Sequence, residues 1–225
     1  MIVYGKNPVF EAIKAGKASR VYIRKGTMLQ DVTFTIPVTV MQKPEFDGRF
    51  NREAQGIAAE VEDILPISFH DAREALKEAK GVLILDRIQD PHNYGAIIRS
   101  AHCFGVNHII VPRYHQAPIT PAVCKASAGA IFYTTIIEET NLSNVCNLLK
   151  ELDYTIAACD MDAPISMKDY KAKSKTALVI GAEGKGVRDG LANSADELVY
   201  IPMAGSIDSL NAAQSAAIAL YELFA

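Results

Sequence analysis

The sequence predicts an α/β fold, in which a parallel sheet carries helices on both faces and is preceded by a smaller α/β unit. From about Gly81 onward, short apolar runs alternate with helical patterns, and this βαβ rhythm is typical of a parallel sheet. The run VLILD (Val82–Asp86) is apolar throughout, as in strands covered on both faces. The pattern breaks near EDILP, so residues 1–62, 63–70 and 71–225 are predicted to be a first domain, a linker and a second domain.

The first domain is predicted to contain one helix and three strands. Asn7 is a suitable helix N-cap, and Pro8 suits the first helical position. Alternation of apolar and polar residues indicates the strands. The predicted elements are a helix over Asn7–Ala15 and strands over Arg20–Arg24, Phe34–Met41 and Gly56–Val61.

The second domain is predicted to alternate strands and helices to its end. The predicted strands are Val82–Asp86, His108–Pro112, Thr155–Asp160, Ala177–Gly181 and Leu198–Pro202. The predicted helices are Asp71–Ala79, Tyr94–Phe104, Thr120–Ala130 and Leu210–Phe224. Ligands of such sheets bind at the carboxyl ends of the strands, where the unusual segments of this sequence lie.

Composition excludes several classes of protein. The 225 residues are 49% hydrophobic with a net charge of -3, so a basic footprint over the whole chain is absent, although a local basic patch remains possible. The four cysteines form no C-x-x-C pair, which predicts reduced thiols and no metal site. The sequence has neither a signal-peptide pattern nor an apolar run long enough to span a bilayer, so a cytoplasmic location is predicted.

The first unusual segment is DRIQDPHNYGAIIRSAHCFG, which follows the strand ending at Asp86. Asn93 lies at the predicted strand-to-helix turn, and Arg99 is expected in the first or second helical turn. Arg99 is surrounded by apolar residues, and its guanidinium could hold a phosphate with two hydrogen bonds. The alternative is that Asn93 is only an N-cap and Arg99 only a surface charge.

The second segment is GAEGKG (Gly181–Gly186), whose three glycines allow backbone amides to approach a ligand closely. Its spacing matches neither a dinucleotide-binding G-x-G-x-x-G motif nor a P-loop. The alternative is a tight turn with a solvated Glu183.

The third segment, IPMAGSIDSLN (Ile201–Asn211), leads into the final helix, which Ser209 or a neighbouring residue is expected to cap. The apolar spacing of that helix indicates a core-facing stripe. It does not explain the polar cluster of Ser206, Asp208, Ser209 and Asn211 at the helix entrance.

Together the segments resemble the SpoU/TrmH-type RNA 2'-O-ribose methyltransferases of the SPOUT class. The family has three motifs in this order: N-x-G-A-x-x-R-S-A, G-A-E-G-x-G and I-P-M-x-G-x-x-x-S-L-N. In this chain they read NYGAIIRSA, GAEGKG and IPMAGSIDSLN, with KASAGA between the first two. VYGKNPVFEAI and QGIAA resemble the ribosomal-protein-like substrate-binding domain of the branch that methylates a guanosine of 23S ribosomal RNA. The chain departs from this pattern at Ala54, Ala213 and Gln214.

The resemblance implies a trefoil knot, S-adenosylmethionine as cofactor, and a homodimer to which the final helix contributes. It also implies three sets of site residues. Cofactor binding would involve Gly181, Ile201, Met203 and Leu210. Catalysis would involve Asn93, Arg99, Glu183, Ser209 and Asn211, with Arg99 activating the hydroxyl. Because an arginine side chain stays protonated, we expect Arg99 to do so by holding the adjacent phosphate and stabilising developing charge, not by acting as a base. RNA binding would involve the basic residues Lys6, Arg20, Arg24 and Arg52 of the first domain.

Three other functions stay open at this point. A transfer-RNA ribose methyltransferase of the same class is the nearest. A non-catalytic RNA-binding or ribosome-assembly factor would have no need of all the polar motif residues. A small-molecule enzyme with a nucleotide-binding sheet is disfavoured by the absence of the usual dinucleotide and P-loop spacings.

Overall fold

A computed structural model gives the architecture and describes residues 1–29, 34–50, 52–184, 186–206 and 209–225, without the side chain of Arg52. Four strands form a small sheet of order β1-β4-β2-β3, in which β2 and β3 are parallel and the other pairs antiparallel. These strands are β1 (Ile2–Tyr4), β2 (Ala18–Arg24), β3 (Val38–Met41) and β4 (Ile57–Val61).

Seven further strands form a second sheet of order β7-β6-β5-β10-β8-β11-β9, and every pairing in it is parallel. They are β5 (Gly81–Leu85), β6 (His108–Pro112), β7 (Thr135–Glu139), β8 (Thr155–Cys159), β9 (Ile165–Ser166), β10 (Thr176–Ile180) and β11 (Glu197–Tyr200). The predicted α/β class is therefore confirmed, and all carboxyl ends of this sheet share one edge.

Helices cover both faces of the large sheet. The helices of the chain are α1 (Lys6–Lys14), α2 (Lys43–Phe50), α3 (Phe69–Glu78), α4 (Pro91–Cys103), α5 (Pro121–Ala126), α6 (Leu142–Lys150), α7 (Asp189–Ala192) and α8 (Ala212–Phe224). On β5, Leu83 and Leu85 pack with α4 and α8, whereas Val82 and Ile84 pack with α3 and α6. This alternation follows from the two-residue period of a strand.

The small sheet is attached to the large one through α1. Val9 and Ala12 of α1 belong to the same apolar cluster as Val123 of α5. Two polar contacts add to this apolar one: the Tyr133 hydroxyl donates to Glu11 Oε2 at 2.8 Å, and Lys125 Nζ lies 2.6 Å from Glu53 Oε2. Because they share a core, the two sheets form one continuous packed unit.

Several predicted bounds were wrong for local reasons. The predicted helix 120–130 ends at Ala126, since Ala128 and Gly129 have positive φ angles of 52° and 90°. The strand expected from Phe34 begins only at Val38, after Pro37, which has no N–H to donate to a ladder. The strands β1, β7 and β9 and the helices α2, α6 and α7 had not been predicted.

Candidate active site

Segments that follow three strands of the large sheet meet at its carboxyl edge. The chain leaves β5 toward α4, leaves β10 into the turn 181–188, and leaves β11 toward α8. β5 and β10 are hydrogen-bonded neighbours, and β11 is separated from β10 only by β8. Parallel pairing thus brings together side chains that lie far apart in the sequence.

Asn93, Glu183 and Asn211 form one hydrogen-bonded group, here called the polar triad. Asn93 Nδ2 donates to Glu183 Oε2 at 3.2 Å, and Asn211 Nδ2 donates to the same oxygen at 3.3 Å. Asn211 Nδ2 also lies 3.1 Å from Asn93 Oδ1, to which it donates. Each motif contributes one residue, and the two amides fix the direction of the carboxylate.

The start of α4 positions Asn93. The N-cap is Asp90, whose Oδ1 accepts a hydrogen bond from Asn93 N at 2.7 Å, and Pro91 occupies the first helical turn. The helix therefore begins earlier than the predicted Tyr94, and the reading of Asn93 as only an N-cap was wrong. The Asp-Pro pair is a recognised helix-start signal that could have revealed this.

Asn211 caps α8 and holds the triad with the same side chain. Its Oδ1 accepts from Ala213 N at 2.9 Å, while Gln214 Oε1 accepts from Asn211 N at 3.3 Å, which completes a capping box. The oxygen thus faces the helix and the amide NH₂ faces Glu183. The cap is Asn211, two residues after Ser209, so the helix begins at Ala212 and not at the predicted Leu210. Gln214, a departure from the family pattern, has a capping role.

The turn that carries Glu183 is closed by backbone contacts. Ala182 N and Gly186 N each donate to the other residue's carbonyl oxygen, at 3.1 and 2.9 Å. Gly184 has a φ of 72°, which favours glycine. A Cβ on Gly181 would lie 2.0 Å from the carbonyl carbon of Gly186, so no larger residue fits there without movement. Lys185 of the GAEGKG motif lies outside the described residues.

The other end of this turn is anchored by Asp86, which is fully buried at the end of β5. Its carboxylate accepts from Arg188 N at 3.1 Å and from Arg188 Nε at 3.0 Å, and Arg188 Nη2 lies 2.8 Å from Oδ1. The adjoining Arg87 Nε is 3.4 Å from the same oxygen. This contact, which had not been predicted, joins the segment that follows β5 to the segment that follows β10.

We expect Asp86→Ala to lower the free energy of unfolding by about 2 kcal/mol, because Arg188 loses its acceptor. The expected loss is smaller than the roughly 3–5 kcal/mol that breaking a fully buried ion pair costs, since the Arg188 side chain reaches solvent. Asp189→Ala, at an exposed carboxylate beside Arg188, is the matched control and should change stability by less than about 0.5 kcal/mol. Equal effects in urea denaturation would contradict the anchoring role of Asp86.

A cavity of about 600 Å³, here called the strand-end cavity, adjoins the triad. It is lined by the predicted cofactor residues and by a segment following β8 that had not been predicted; the lining includes Cys159, Asp160, Met161, Asp162, Gly181, Glu183, Ile201, Met203, Ser209 and Leu210. Burial, together with the neighbouring Asp160 carboxylate, raises the pKa of the Cys159 thiol to about 12, so this thiol is uncharged at neutral pH.

Arg99 is not part of the polar triad. Because α4 begins at Pro91, Arg99 lies in the third helical turn and not in the first or second as predicted. Six residues after Asn93, it points roughly 120° away around the helix axis. Its side chain is exposed and has no hydrogen bond or ion pair with the part of the chain that the structure describes.

The predicted RNA-binding residues differ in their availability. Lys6 and Arg20 are exposed, with long contacts of 3.5 Å to the Met28 carbonyl and 3.3 Å to the Thr39 hydroxyl. Arg24 is half-buried and paired with Asp47 at 3.2 Å, so its charge is partly neutralised. The side chain of Arg52 lies outside the described residues.

The described residues offer neither a candidate metal site nor a helix that could span a membrane. Within the described ranges, no group of three or more His, Cys, Asp or Glu side chains is placed to hold a metal ion. Likewise, none of the helices seen in those ranges has the length and apolar character to cross a membrane.

Comparison with known proteins gives concordant matches. Residues 80–221 match the model of the SpoU rRNA Methylase family. A protein of Staphylococcus haemolyticus assigned to the TrmH family of tRNA/rRNA methyltransferases is 31% identical over 236 residues, covering 100% of this chain and 95% of its own length.

Solved structures of the SpoU methyltransferase AviRb from Streptomyces viridochromogenes are also similar. One has a TM-score of 0.81 at 25% identity and covers 99% of this chain and 87% of its own. The other, a complex with the cofactor AdoMet, has a TM-score of 0.79 at 26% identity and covers 99% and 88%.

Proposed function

Because the chain belongs to the SpoU/TrmH family of RNA methyltransferases, we propose that it methylates a ribose 2'-hydroxyl of RNA, specifically of a guanosine in 23S ribosomal RNA. S-adenosylmethionine is the cofactor of the reaction, in line with the AdoMet complex of a structural neighbour. The observation that carries the proposal is the polar triad, which lies beside a cavity large enough for a nucleoside cofactor.

The strand-end cavity suits S-adenosylmethionine chemically. Ile201, Met203 and Leu210 offer apolar surface, and Gly181, which has no side chain, contributes backbone atoms to the lining. When bound, this cofactor supplies a methyl group on a positively charged sulfur. The acidic side chains of the lining suit a cationic ligand. Gly181, Ile201, Met203 and Leu210 are therefore the proposed cofactor-binding residues.

The triad would orient the ribose. Both asparagine amides contact Glu183 Oε2, and no described side chain donates to Oε1, so Oε1 is free to accept a hydrogen bond from the hydroxyl. Ser209, exposed at the cavity rim, is proposed to contact the substrate as well. Holding the reacting groups in line can by itself lower a barrier by about 7–11 kcal/mol in favourable cases.

Arg99 would hold the phosphate next to the reacting ribose. Its exposed guanidinium, without an acidic partner among the described residues, is available for two charge-assisted hydrogen bonds. An arginine side chain stays protonated in proteins, which argues against Arg99 as a general base. Developing negative charge on the hydroxyl oxygen would be stabilised by the same cation.

The activity test uses purified protein, S-adenosylmethionine with a labelled methyl group, and separate preparations of ribosomal and transfer RNA. We expect label in 23S ribosomal RNA, in a nucleoside that mass spectrometry identifies as 2'-O-methylguanosine. Label in transfer RNA alone would favour the tRNA alternative. Binding of RNA without any transfer, in both preparations, would favour the non-catalytic assembly factor.

Residues 1–62 are proposed to be a ribosomal-protein-like RNA-binding domain, joined by the linker 63–70 to a catalytic domain 71–225 that carries the trefoil knot. The small sheet, the exposed Arg20 on its strand β2 and the exposed Lys6 at the start of α1 support the RNA-binding role. Because α1 shares a core with α5, removing the first domain would expose apolar surface, so point substitutions are the better test. A ribosomal RNA substrate would be met in the cytoplasm.

We expect the double substitution Lys6→Ala with Arg20→Ala to weaken RNA binding about tenfold at low salt. It should also reduce the slope of log affinity against log salt by roughly 0.7–0.9 per lost phosphate contact. The matched control removes the exposed Lys171 and Lys173, which precede β10 and so lie near the opposite edge of the sheet. Equal slopes for the two variants would contradict the proposal.

The homodimer is proposed to form through α8. Ile218 and Tyr221 are 38% and 59% exposed on one stripe of that helix, so together they offer an apolar surface that a partner could cover. The Tyr221 ring also contacts Phe104, which extends the apolar surface beyond α8.

Ile218→Glu with Tyr221→Glu is expected to reduce the mass in light scattering from twice 24.4 kDa to 24.4 kDa. The reason is that two charges cannot be buried unpaired in the interface. Tyr114→Glu, at a tyrosine that is 63% exposed elsewhere, is the control and should leave the dimer intact. A monomeric unmodified protein would contradict the proposed interface.

A further inference from the structure

The charged side chains of the strand-end cavity all have the same sign. Asp160, Asp162 and Glu183 line it, and its described lining includes no lysine, arginine or histidine. Neither Asp160 nor Asp162 forms an ion pair with the described residues. The Cys159 thiol is uncharged at neutral pH, so among the described residues of this wall only the carboxylates carry charge.

Asp160 is the best placed of the three to act on a ligand. It directly follows β8 and is half-buried, whereas Asp162 is exposed and screened by water. Its Oδ1 accepts from Asp162 N at 2.9 Å, and its own N donates to the Val199 carbonyl at 3.0 Å, so the residue is held in place. Glu183, in contrast, is engaged by the two asparagine amides.

The donor and the product of the proposed reaction differ in charge at one atom. In the transfer the carbon–sulfur bond breaks and leaves its electron pair on sulfur, a carbon–oxygen bond forms, and the hydroxyl proton passes to solvent. S-adenosylmethionine is therefore a sulfonium cation, and S-adenosylhomocysteine is a neutral thioether with the same amino acid and nucleoside parts. A fixed carboxylate attracts the first more strongly than the second.

We infer that Asp160 is a specificity-determining residue that lets the cavity prefer the cationic methyl donor over the neutral product. The inference rests on the proposed function, because it takes the strand-end cavity as the cofactor site. Loss of the sulfonium charge on transfer removes this attraction, so the product leaves more easily and inhibits less.

The test is isothermal titration of the full-length protein and of Asp160→Asn with three ligands. These are S-adenosylmethionine, S-adenosylhomocysteine, and sinefungin, which carries a protonated amine in place of the sulfonium. Asparagine keeps the Oδ1 acceptor for Asp162 N, so the local turn is retained. Asp169→Asn removes an exposed carboxylate that does not line the cavity and is the matched control.

We expect Asp160→Asn to weaken binding of both cationic ligands about threefold to tenfold at low salt and to leave S-adenosylhomocysteine unchanged. The Asp169→Asn control should bind all three ligands as the unmodified protein does. Equal weakening of all three ligands would overturn the inference, because Asp160 would then hold a part that they share. Unchanged binding of all three would overturn it as well.

These failures are distinguishable from failure of the proposed function. If the unmodified protein binds S-adenosylmethionine and methylates RNA but Asp160→Asn keeps the same preference, only the role of Asp160 is wrong. If the unmodified protein binds none of the three ligands, the proposed function itself is wrong. A melting temperature for each variant shows whether the protein remains folded.

Discussion

Arg99→Ala is expected to lower the rate of methyl transfer by about 100-fold or more, in line with the loss of one group that stabilises developing charge. Binding of S-adenosylmethionine should stay within about twofold of the unmodified protein, because Arg99 does not line the strand-end cavity. The measurement is a single-turnover transfer assay combined with a separate titration of the cofactor.

Two further variants, the second a control, test whether the positive charge and the planar donors of Arg99 are both needed. Arg99→Lys keeps the positive charge but loses the planar pair of donors, so an intermediate rate is expected. Arg73→Ala removes a half-buried arginine of α3 that pairs with Glu151 on the opposite face of the sheet, and it should leave the rate unchanged. A transfer rate in Arg99→Ala equal to that of the control would show that Arg99 does not hold the phosphate.

The sequence was most informative where strand ends and motifs coincided. Three segments after predicted strands were expected to share one edge, and Asn93, Glu183 and Asn211 do meet there. That prediction needed only the parallel arrangement, because parallel strands have their carboxyl ends on the same side. The hydrogen bonds among the three side chains could not be foreseen, since they depend on where each helix begins.

Helix boundaries account for the main errors. Asn93 belongs to the helix that Asp90 caps, and Arg99 consequently lies one turn further along than expected. At the other helix, the first residue is Ala212 and not the predicted Leu210, because Asn211 is the N-cap and Gln214 completes a capping box with it. Successive helical side chains are about 100° apart around the axis, so the direction of Asn93 relative to Arg99 is fixed only once Asn93 is known to lie inside the helix.

Contacts between residues far apart in the chain could not be predicted from the sequence, for a different reason. The carboxylate of Asp86 and the guanidinium of Arg188 are separated by 102 residues, and no local pattern links them. In the sequence, Asp160 is only the last residue of a predicted strand. Its place beside the strand-end cavity depends on the order of the large sheet, in which β8 lies between β10 and β11. Both placements follow from the order of the strands, which the periodicity of the sequence does not give.

Gly181 is expected to show the largest effect on cofactor binding. A Cβ at this position would meet the carbonyl carbon of Gly186 at 2.0 Å and Val187 N at 2.3 Å, and these backbone atoms cannot move aside as a flexible side chain would. Gly181→Ala must therefore open the closed turn that carries Glu183. We expect binding of S-adenosylmethionine to weaken at least about 100-fold, since displacement of this wall removes both contacts and shape.

Gly190→Ala is the matched control, because no atom lies within 4 Å of a Cβ built on Gly190. It should bind the cofactor normally, with stability equal to or slightly above that of the unmodified protein, as alanine is favoured over glycine in a helix. Circular dichroism of Gly181→Ala separates local opening of the turn from global unfolding. A folded Gly181→Ala variant with unchanged cofactor affinity would mean that the turn 181–186 is not a wall of the cofactor site. The polar triad would then have to act beside a cofactor held elsewhere on the carboxyl edge.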